Sequence, residues 1–96
     1  MKWVGYEWHG WALDALRGIE AHEVVQALGA DRRWPRRATG PGGVGALTVW
    51  ARTRSGRPLI VAVRQTGDWD WLIIGARGME PAEAAEFEQW EEGSHG

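Results

Sequence analysis

Residues 46–76 read ALTVWARTRSGRPLIVAVRQTGDWDWLIIGA, and this segment carries the clearest strand pattern of the chain. It holds three runs rich in β-branched and aromatic residues, at 46–53, 59–64 and 71–76, and such runs are typical of strands. Short polar links containing glycine separate the runs, so the pattern predicts an antiparallel meander of three strands. The third run is apolar at nearly every position, which predicts that it lies in the interior of the sheet.

The first run also predicts which side of the sheet each side chain occupies. Successive residues of a strand point to opposite faces. One face therefore receives the apolar side chains of Leu47, Val49 and Ala51, and the other receives Trp50 and Arg52. The meander is expected to separate an apolar face from one that carries an indole and a guanidinium group.

Helices are expected before and after the meander. Apolar residues recur at helical spacing through residues 8–19, at Trp8, Trp11, Ala12, Ala15, Leu16 and Ile19. A second helix is predicted at residues 21–28, closed by Gly29. A third begins at Pro81, since proline suits the first helical position, and runs to residue 92 with Phe87 on its inner side. A short strand is expected at residues 3–7.

Residues 31–45 are predicted to form a long basic loop. Two prolines, four glycines and the lack of any apolar period match neither a helix nor a strand. The loop carries a cluster of cations around one indole, namely Arg32, Arg33, Trp34, Arg36 and Arg37. Such a patch can grip phosphates and stack on a base. Two other interpretations stay open, a docking site for an acidic partner segment and a solvated loop.

Together these elements predict one α+β domain over residues 1–96. Two N-terminal helices and one C-terminal helix would pack on one face of a three- to four-stranded antiparallel sheet. The order along the chain is a short strand, two helices, three strands and a final helix. The balance of 44% hydrophobic and 25% charged residues agrees with a globular domain of this kind.

Charge is distributed unevenly along the chain, although the net charge is only −2. Residues 31–67 hold eight arginines against one aspartate, whereas residues 79–92 hold six glutamates and no cation. The chain has no cysteine and its three histidines lack metal-ligand spacing, so neither a metal nor another cofactor is expected. No run approaches the roughly 18 apolar residues of a membrane span, and none follows the first lysine as in a signal peptide, so a cytoplasmic location is expected.

The order of short motifs along the chain resembles the BrnT-like toxins of bacterial toxin–antitoxin pairs. The motifs of the second half are Ala51-Arg52-Thr53, Gly56-Arg57-Pro58-Leu59, Ile74-Gly75-Ala76-Arg77, and then Glu83 and Trp90. In the first half, Tyr6-Glu7-Trp8 and Arg17-Gly18-Ile19 fall where the family has an aromatic strand and a His-Gly-Ile segment. Four positions depart from the family pattern, namely Arg17, Ala51, Gly75 and Glu80. Arg17 replaces the family's histidine, and arginine does not deprotonate, so it cannot serve as a base.

This resemblance implies a fold like that of the RelE/ParE toxins and a metal-independent ribonuclease that acts on mRNA. It also implies a small DNA-binding antitoxin, often of the ribbon-helix-helix type, as the partner. Arg52 and Arg77 are then the candidates for holding the phosphate, and His22 and Glu23 are the candidates for the acid–base steps. Arg17, Arg57 and the cations of residues 31–45 would assist RNA binding.

Each candidate also has a structural interpretation. Arg77 could pair with a glutamate of the final helix, Arg57 could be a solvated turn residue, and Arg17 could interact with a helix C-terminus. The final helix could be a solvated acidic surface, or a shield that competes with RNA for the arginines. The second functional hypothesis is therefore a non-catalytic protein of the same fold that binds a protein partner or nucleic acid.

Overall fold

A computed structural model describes residues 5–39, 45–68 and 70–93 of the chain. Five strands and two helices follow one another in the order β1 (Gly5–Trp8), α1 (Ala21–Leu28), β2 (Arg33–Thr39), β3 (Gly45–Arg52), β4 (Pro58–Gln65), β5 (Asp70–Gly78) and α2 (Pro81–Gly93). No helix in the described ranges is both long enough and apolar enough to cross a membrane.

The strands form one mixed sheet in the order β1-β5-β4-β3-β2. Strands β3, β4 and β5 are the antiparallel meander expected from residues 46–76, and β5 lies inside the sheet as its apolar run predicts. The prediction of a three- to four-stranded antiparallel sheet is wrong, because β1 adds in parallel to β5 and β2 adds to β3. Residues 3 and 4 of the strand expected at 3–7 lie outside the described ranges.

The predicted helix over residues 8–19 is not formed, so the expectation of two N-terminal helices is wrong. Trp8 belongs to β1, and residues 10–15 form turns held by bonds such as Ala15 N–H to the Trp11 carbonyl, at 3.0 Å. Glycines flank this segment, and so short a helix gains little stability from its own hydrogen bonds. The segment nevertheless buries one of its regularly spaced apolar residues. Ala12 lies in the interior, while Trp11 is 56% exposed.

The predicted loop over residues 31–45 contains strand β2, so this prediction is also wrong. Every residue of β2 pairs with β3, from Arg33 opposite Ala51 to Thr39 opposite Gly45. Strand β2 is an edge strand, where a proline and several charges are tolerated and discourage pairing with other chains. Its charged side chains lie on both faces, which hid the strand period in the sequence. Residues 40–44 of the predicted loop lie outside the described ranges.

The two helices cover opposite faces of the sheet, and the expectation that all helices share one face is wrong. Helix α1 contacts β3 and β4, and its buried Val24 joins a core with Val49, Leu59 and Val61. On the other face, Phe87 of α2 packs with Trp50 and Ile60. The alternation predicted for β3 is confirmed, since Val49 and Ala51 belong to the first core and Trp50 to the second. We call these the α1 face and the α2 face.

The helix boundaries follow local signals in the sequence. Helix α1 starts with a reciprocal capping box in which Glu20 and Glu23 each accept a backbone N–H of the other, and Gly29 is its C-cap, as predicted. Helix α2 begins at Pro81, also as predicted. Between β3 and β4, Gly56 has a φ of 92°, a conformation that favours glycine and allows this tight turn.

Candidate functional surfaces on the two faces of the sheet

A row of four side chains crosses the α2 face from the edge strand inwards. Trp34, Trp50, Ile60 and Arg77 lie directly opposite one another on β2, β3, β4 and β5. Residues in direct register project from the same face. Helix α2 lies over this row, because its buried Phe87 packs on Trp50 and Ile60. The row contains Trp34 from the predicted basic loop and Trp50 from the meander. It also contains Arg77, one of the two arginines predicted to hold the phosphate.

Arg36 lies against the two indoles of the row. Its guanidinium carbon is 4.4 Å from the Trp34 ring centroid and 4.8 Å from that of Trp50. On the helix side, the Trp90 ring stacks on Trp34 with centroids 5.4 Å apart and planes 3° from parallel. Guanidinium groups over indole faces are favoured electrostatically. The predicted interleaving of cations with an aromatic side chain is therefore a packed structure rather than a loop.

Each of three arginines on the α2 face forms an ion pair with a glutamate of α2. Arg77 makes a two-pronged pair with Glu83, with N–O distances of 2.6 and 2.7 Å. Arg36 is 2.9 Å from the Glu86 carboxylate. Arg52 donates to both carboxylate oxygens of Glu91, at 2.8 Å from Nη2 and 3.0 Å from Nε. The structural interpretation of Arg77 is thereby confirmed, and it extends to Arg52.

These pairs change the acidity of the groups that form them. The hydrogen bonds from Arg77 hold the pKa of Glu83 at about 2, and those from Arg52 lower the pKa of Glu91. The same bonds raise the pKa of Arg52 and of Arg77. All four groups are charged at neutral pH, so the carboxylates neutralise the two arginines that the resemblance assigns to phosphate. Arg32 also reaches α2, donating to the backbone carbonyl of Glu91.

Acid should weaken the attachment of α2. A carboxyl group whose pKa is lower in the folded state than in the unfolded state stabilises the fold at pH values above the unfolded pKa. For Glu83, this stabilisation is lost as the pH falls from about 4.5 to about 2. Because Arg77 is half-exposed, about 1 kcal/mol or less is expected for this pair. Urea unfolding at pH 7 and pH 3 should show a larger loss of stability for the wild type than for Glu83→Gln, whose amide does not titrate. An equal loss in both proteins would contradict the assignment.

The predicted acid–base residues lie on α1, whose buried side chains face the opposite side of the sheet. Glu23 accepts the backbone N–H of Glu20 at 2.9 Å and pairs with Arg57 at 3.1 Å. The first of these bonds, together with Arg57, lowers the pKa of Glu23. Arg57 is therefore a partner of α1 rather than only a solvated turn residue. Among the described residues, no hydrogen bond or ion pair joins His22 or Glu23 to Arg52 or Arg77. The four predicted catalytic residues are thus not linked into one site.

Three other predicted RNA-binding arginines have no carboxylate partner among the described residues. Arg17 donates to the carbonyls of Asp14 and Leu16, both at 3.0 Å, in the turn segment rather than at a helix end. Arg33 donates to the carbonyl of Leu28 at 2.7 Å, where it meets the negative end of the α1 dipole. Arg37 is exposed, and its side chain makes no hydrogen bond or ion pair with the part of the chain that is described.

A groove of about 280 Å³ opens on the α1 face. Each of the five strands contributes to its walls, through Tyr6, Arg33, Pro35, Leu47, Val49, Val63 and Trp71. The floor is apolar, since Leu47, Val49, Val63 and Trp71 all belong to or pack on the α1-face core. Arg37 lies beside it, opposite Leu47 in register. We call this concavity the basic-rimmed groove.

The groove escaped the sequence analysis because it depends on strand β2. Alternation along β2 sends Arg33, Pro35 and Arg37 to the α1 face and Trp34 and Arg36 to the α2 face. When residues 31–45 are interpreted as a loop, their cations form a single patch. The division of these cations between the α1 face and the α2 face is then not visible. The sequence predicted a pair between Arg77 and a glutamate of the final helix, whereas the pairing of Glu86 and Glu91 with arginines was foreseen only as a general shield. Within the described ranges, no group of three or more His, Asp or Glu side chains could hold a metal ion.

Comparison with known proteins adds no family assignment. No protein-family model matches the chain, and no curated protein is significantly similar to it. The resemblance to BrnT-like toxins therefore stays a prediction from the motifs alone.

Proposed function

We propose that this protein is a non-catalytic binding protein whose basic-rimmed groove receives an acidic segment of a partner protein. The observation that carries the proposal is the contrast between the two faces of the sheet. Arg36, Arg52 and Arg77 on the α2 face are neutralised by glutamates of α2, whereas Arg33 and Arg37, the two arginines at the groove, have no carboxylate partner among the described residues. Charge that the chain leaves uncompensated is available to a partner.

The separation of the candidate catalytic groups supports a non-catalytic role. A metal-free ribonuclease needs a general base and phosphate-binding cations around one phosphate, within hydrogen-bonding reach of the reacting atoms. Here Arg52 and Arg77 bind glutamates of α2, while Glu23 is occupied by a capping bond and by Arg57. Among the described residues, the carboxylates beside Arg77 and Arg52 are Glu83 and Glu91, and the ion pairs lower the pKa of both groups, which makes them weak bases.

The chemistry of the groove supports a protein rather than a small anion as the ligand. Its floor is formed by aliphatic and aromatic side chains, including Leu47, Val63 and Trp71, which favour burial of apolar groups. The cations stand at the rim, where they attract and orient an acidic chain without being buried. An extended or helical segment that alternates apolar with acidic residues would satisfy both features.

The experiment combines a photo-crosslink with a charge reversal. The resemblance to BrnT-like toxins suggests the product of a neighbouring gene as the first partner to purify. A photoreactive benzoylphenylalanine is placed at Pro35, which is exposed and lines the groove, and at Glu88, which is exposed on α2. We expect cross-links from position 35 alone, to an acidic segment of the partner. That segment is then synthesised and titrated calorimetrically.

Two exposed arginines without a partner among the described residues provide the matched charge reversals. Arg37 lies beside the groove, and Arg64 lies on β4 with the strand alternation placing it on the α2 face. Arg37→Glu should weaken peptide binding about tenfold or more, which corresponds to about 1.4 kcal/mol, while Arg64→Glu should have little effect. Equal weakening by both variants would contradict the groove as the binding site. Cleavage of a labelled mRNA by the purified protein would contradict the non-catalytic role.

A further inference from the structure

The outer edge of strand β2 has no neighbouring strand in the described sheet. The strand order ends at β2, and all seven of its residues pair with β3 on the inner side. In an antiparallel pair, alternate residues direct their backbone N–H and C=O groups to the neighbouring strand, and the residues between them direct theirs away. Strand β2 therefore presents one row of backbone groups to which another strand can add.

Two hydrogen bonds show which residues of β2 direct their backbone groups towards β3. The Thr48 hydroxyl donates to the carbonyl of Arg36, its opposite residue, at 3.0 Å, so this carbonyl faces β3. At the end of β3, the Thr53 N–H donates to the Arg57 carbonyl across the turn to β4, at 2.9 Å. Odd-numbered residues of β3 thus face β4, and even-numbered residues such as Thr48 face β2. Pro35 agrees with this alternation, because proline is tolerated where an N–H would point away from the neighbouring strand.

Arg33, Pro35 and Arg37 therefore combine the free backbone edge with the side chains of the groove rim. Their backbone groups alternate with those of Arg36 and point away from β3, and no turn, loop or cap hydrogen bond within the described ranges uses them. Arg33 and Arg37 offer an N–H and a carbonyl each, and Pro35 offers a carbonyl. All three side chains are exposed. A strand laid along this edge would place the side chains opposite these residues on the same α1 face.

The charges of this edge determine which strand can pair with it. If two copies of β2 paired antiparallel about Pro35, Arg33 of each copy would lie opposite Arg37 of the other, and like charges in this position are destabilising. An acidic strand would place carboxylates there instead. The Arg37 side chain has no partner among the described residues, and Arg33 uses only Nη1 for the Leu28 carbonyl, which leaves further N–H donors. The edge thus repels a second copy of the chain and favours an acidic strand.

We propose that the acidic segment of the partner binds as a further strand antiparallel to β2, with acidic side chains opposite Arg33 and Arg37 and an apolar side chain opposite Pro35. This inference rests on the proposed function and specifies the conformation and register of the bound segment. The apolar side chain lies at Pro35, which lines the basic-rimmed groove. Backbone hydrogen bonds to the edge supply affinity, and the alternate side chains supply specificity.

The test uses a nine-residue peptide, acetylated and amidated, with glutamate at its third and seventh positions, valine at its fifth and threonine elsewhere. Two N-methylated forms of this peptide differ only in which backbone N–H groups are blocked. The first is methylated at the third, fifth and seventh residues, whose N–H groups would face β2. The control is methylated at the fourth, sixth and eighth residues, whose N–H groups would point away. Binding to the isotope-labelled full chain and to Arg37→Glu is measured by nuclear magnetic resonance titration, together with amide hydrogen exchange.

We expect the first methylated peptide to bind about tenfold or more weakly than the parent peptide, because three hydrogen bonds to β2 are lost, and the control to bind within about threefold of it. The parent peptide should slow exchange of the Arg33 and Arg37 amides about tenfold or more, and change that of Arg36, which already faces β3, by much less.

A parent peptide that does not bind, equal effects of the two methylations, or unchanged exchange at Arg33 and Arg37 would each overturn the addition of a strand. Binding that is lost in Arg37→Glu but is equally tolerant of both methylations would overturn strand addition and still support an acidic ligand at the groove. The inference and the proposed function can therefore fail separately.

Discussion

Phe87→Ala is expected to lower the free energy of unfolding by about 3–5 kcal/mol, the typical cost of removing a buried phenyl ring. Phe87 is fully buried and is the only residue of α2 in the buried core of the α2 face, where it packs on Trp50 and Ile60. The surrounding Trp34, Met79 and Trp90 are partly exposed, so few other contacts hold the helix on the sheet. Removing the ring therefore leaves α2 attached by the stack of Trp90 on Trp34 and by surface ion pairs.

Urea unfolding followed by tryptophan fluorescence measures this loss, because three indoles lie close to the ring. Phe87→Leu is the matched control, since it keeps much of the apolar volume and should cost less than about 2 kcal/mol. A loss below 1 kcal/mol for Phe87→Ala would show that α2 is held by the Trp90–Trp34 stack and its ion pairs instead. The total free energy of unfolding of a domain of this size is roughly 5–15 kcal/mol. The alanine variant should therefore remain mostly folded in water only if the wild type lies in the upper part of that range.

Leu59→Ala is expected to lower the free energy of unfolding by about 2–5 kcal/mol. Leu59 is fully buried on the α1 face, where β4 packs against α1 together with Val61 and Val24. The new cavity would lie between the sheet and the helix, beneath an eight-residue α1 that depends on this packing for its stability. The mutation should therefore loosen α1 as well as lower the global stability.

Leu72→Ala is the matched control for this second variant. Leu72 lies on the neighbouring strand β5, is half-buried and belongs to neither core cluster, so its truncation should cost about 1 kcal/mol or less. Amide hydrogen exchange of residues 21–28 then shows whether α1 opens first. Equal stability losses for Leu59→Ala and Leu72→Ala would contradict the central place of Leu59 in the core.

The sequence predicts the meander well because each of its strands carries a local signal. Alternation at Val49, Trp50 and Ala51 reports two different environments, and the structure confirms them as the two cores. The apolar run of β5 likewise reflects an interior strand with neighbours on both sides. Pro81 and Gly29 mark helix boundaries through fixed backbone preferences.

The errors arise where tertiary contacts outweigh local patterns. The apolar residues of the segment 8–19 have helical spacing, but they reach the core from turns. Ala12 and Ile19 are both buried although no helix lies between them. Strand β2 has no apolar face to reveal its period, because Arg33 and Arg36 lie on opposite sides of a paired edge strand. Which face each helix covers depends on packing between distant segments, and no local pattern encodes it.

The candidate site was predictable in its residue types but not in its arrangement. Arg52 and Arg77 were predicted to hold a phosphate, and in the structure both bind glutamates of α2. The sequence shows that both residues are cations. Their neutralisation by Glu91 and Glu83 can be recognised only once the position of α2 is known. The division of Arg36 and Arg37 between two surfaces follows directly once β2 is known to be a strand.

The pairing of β1 with β5 also constrains when the protein can complete its fold. Gly5 lies opposite Asp70, so this parallel contact joins the beginning of the described chain to its last strand. During translation, β1 has no partner until β5 has left the ribosome, although the β3–β4 hairpin is already available for pairing. Contacts between such distant positions raise the contact order and slow folding. Tyr6 and Trp8 of β1 therefore cannot take their places in the sheet until β5 has been synthesised.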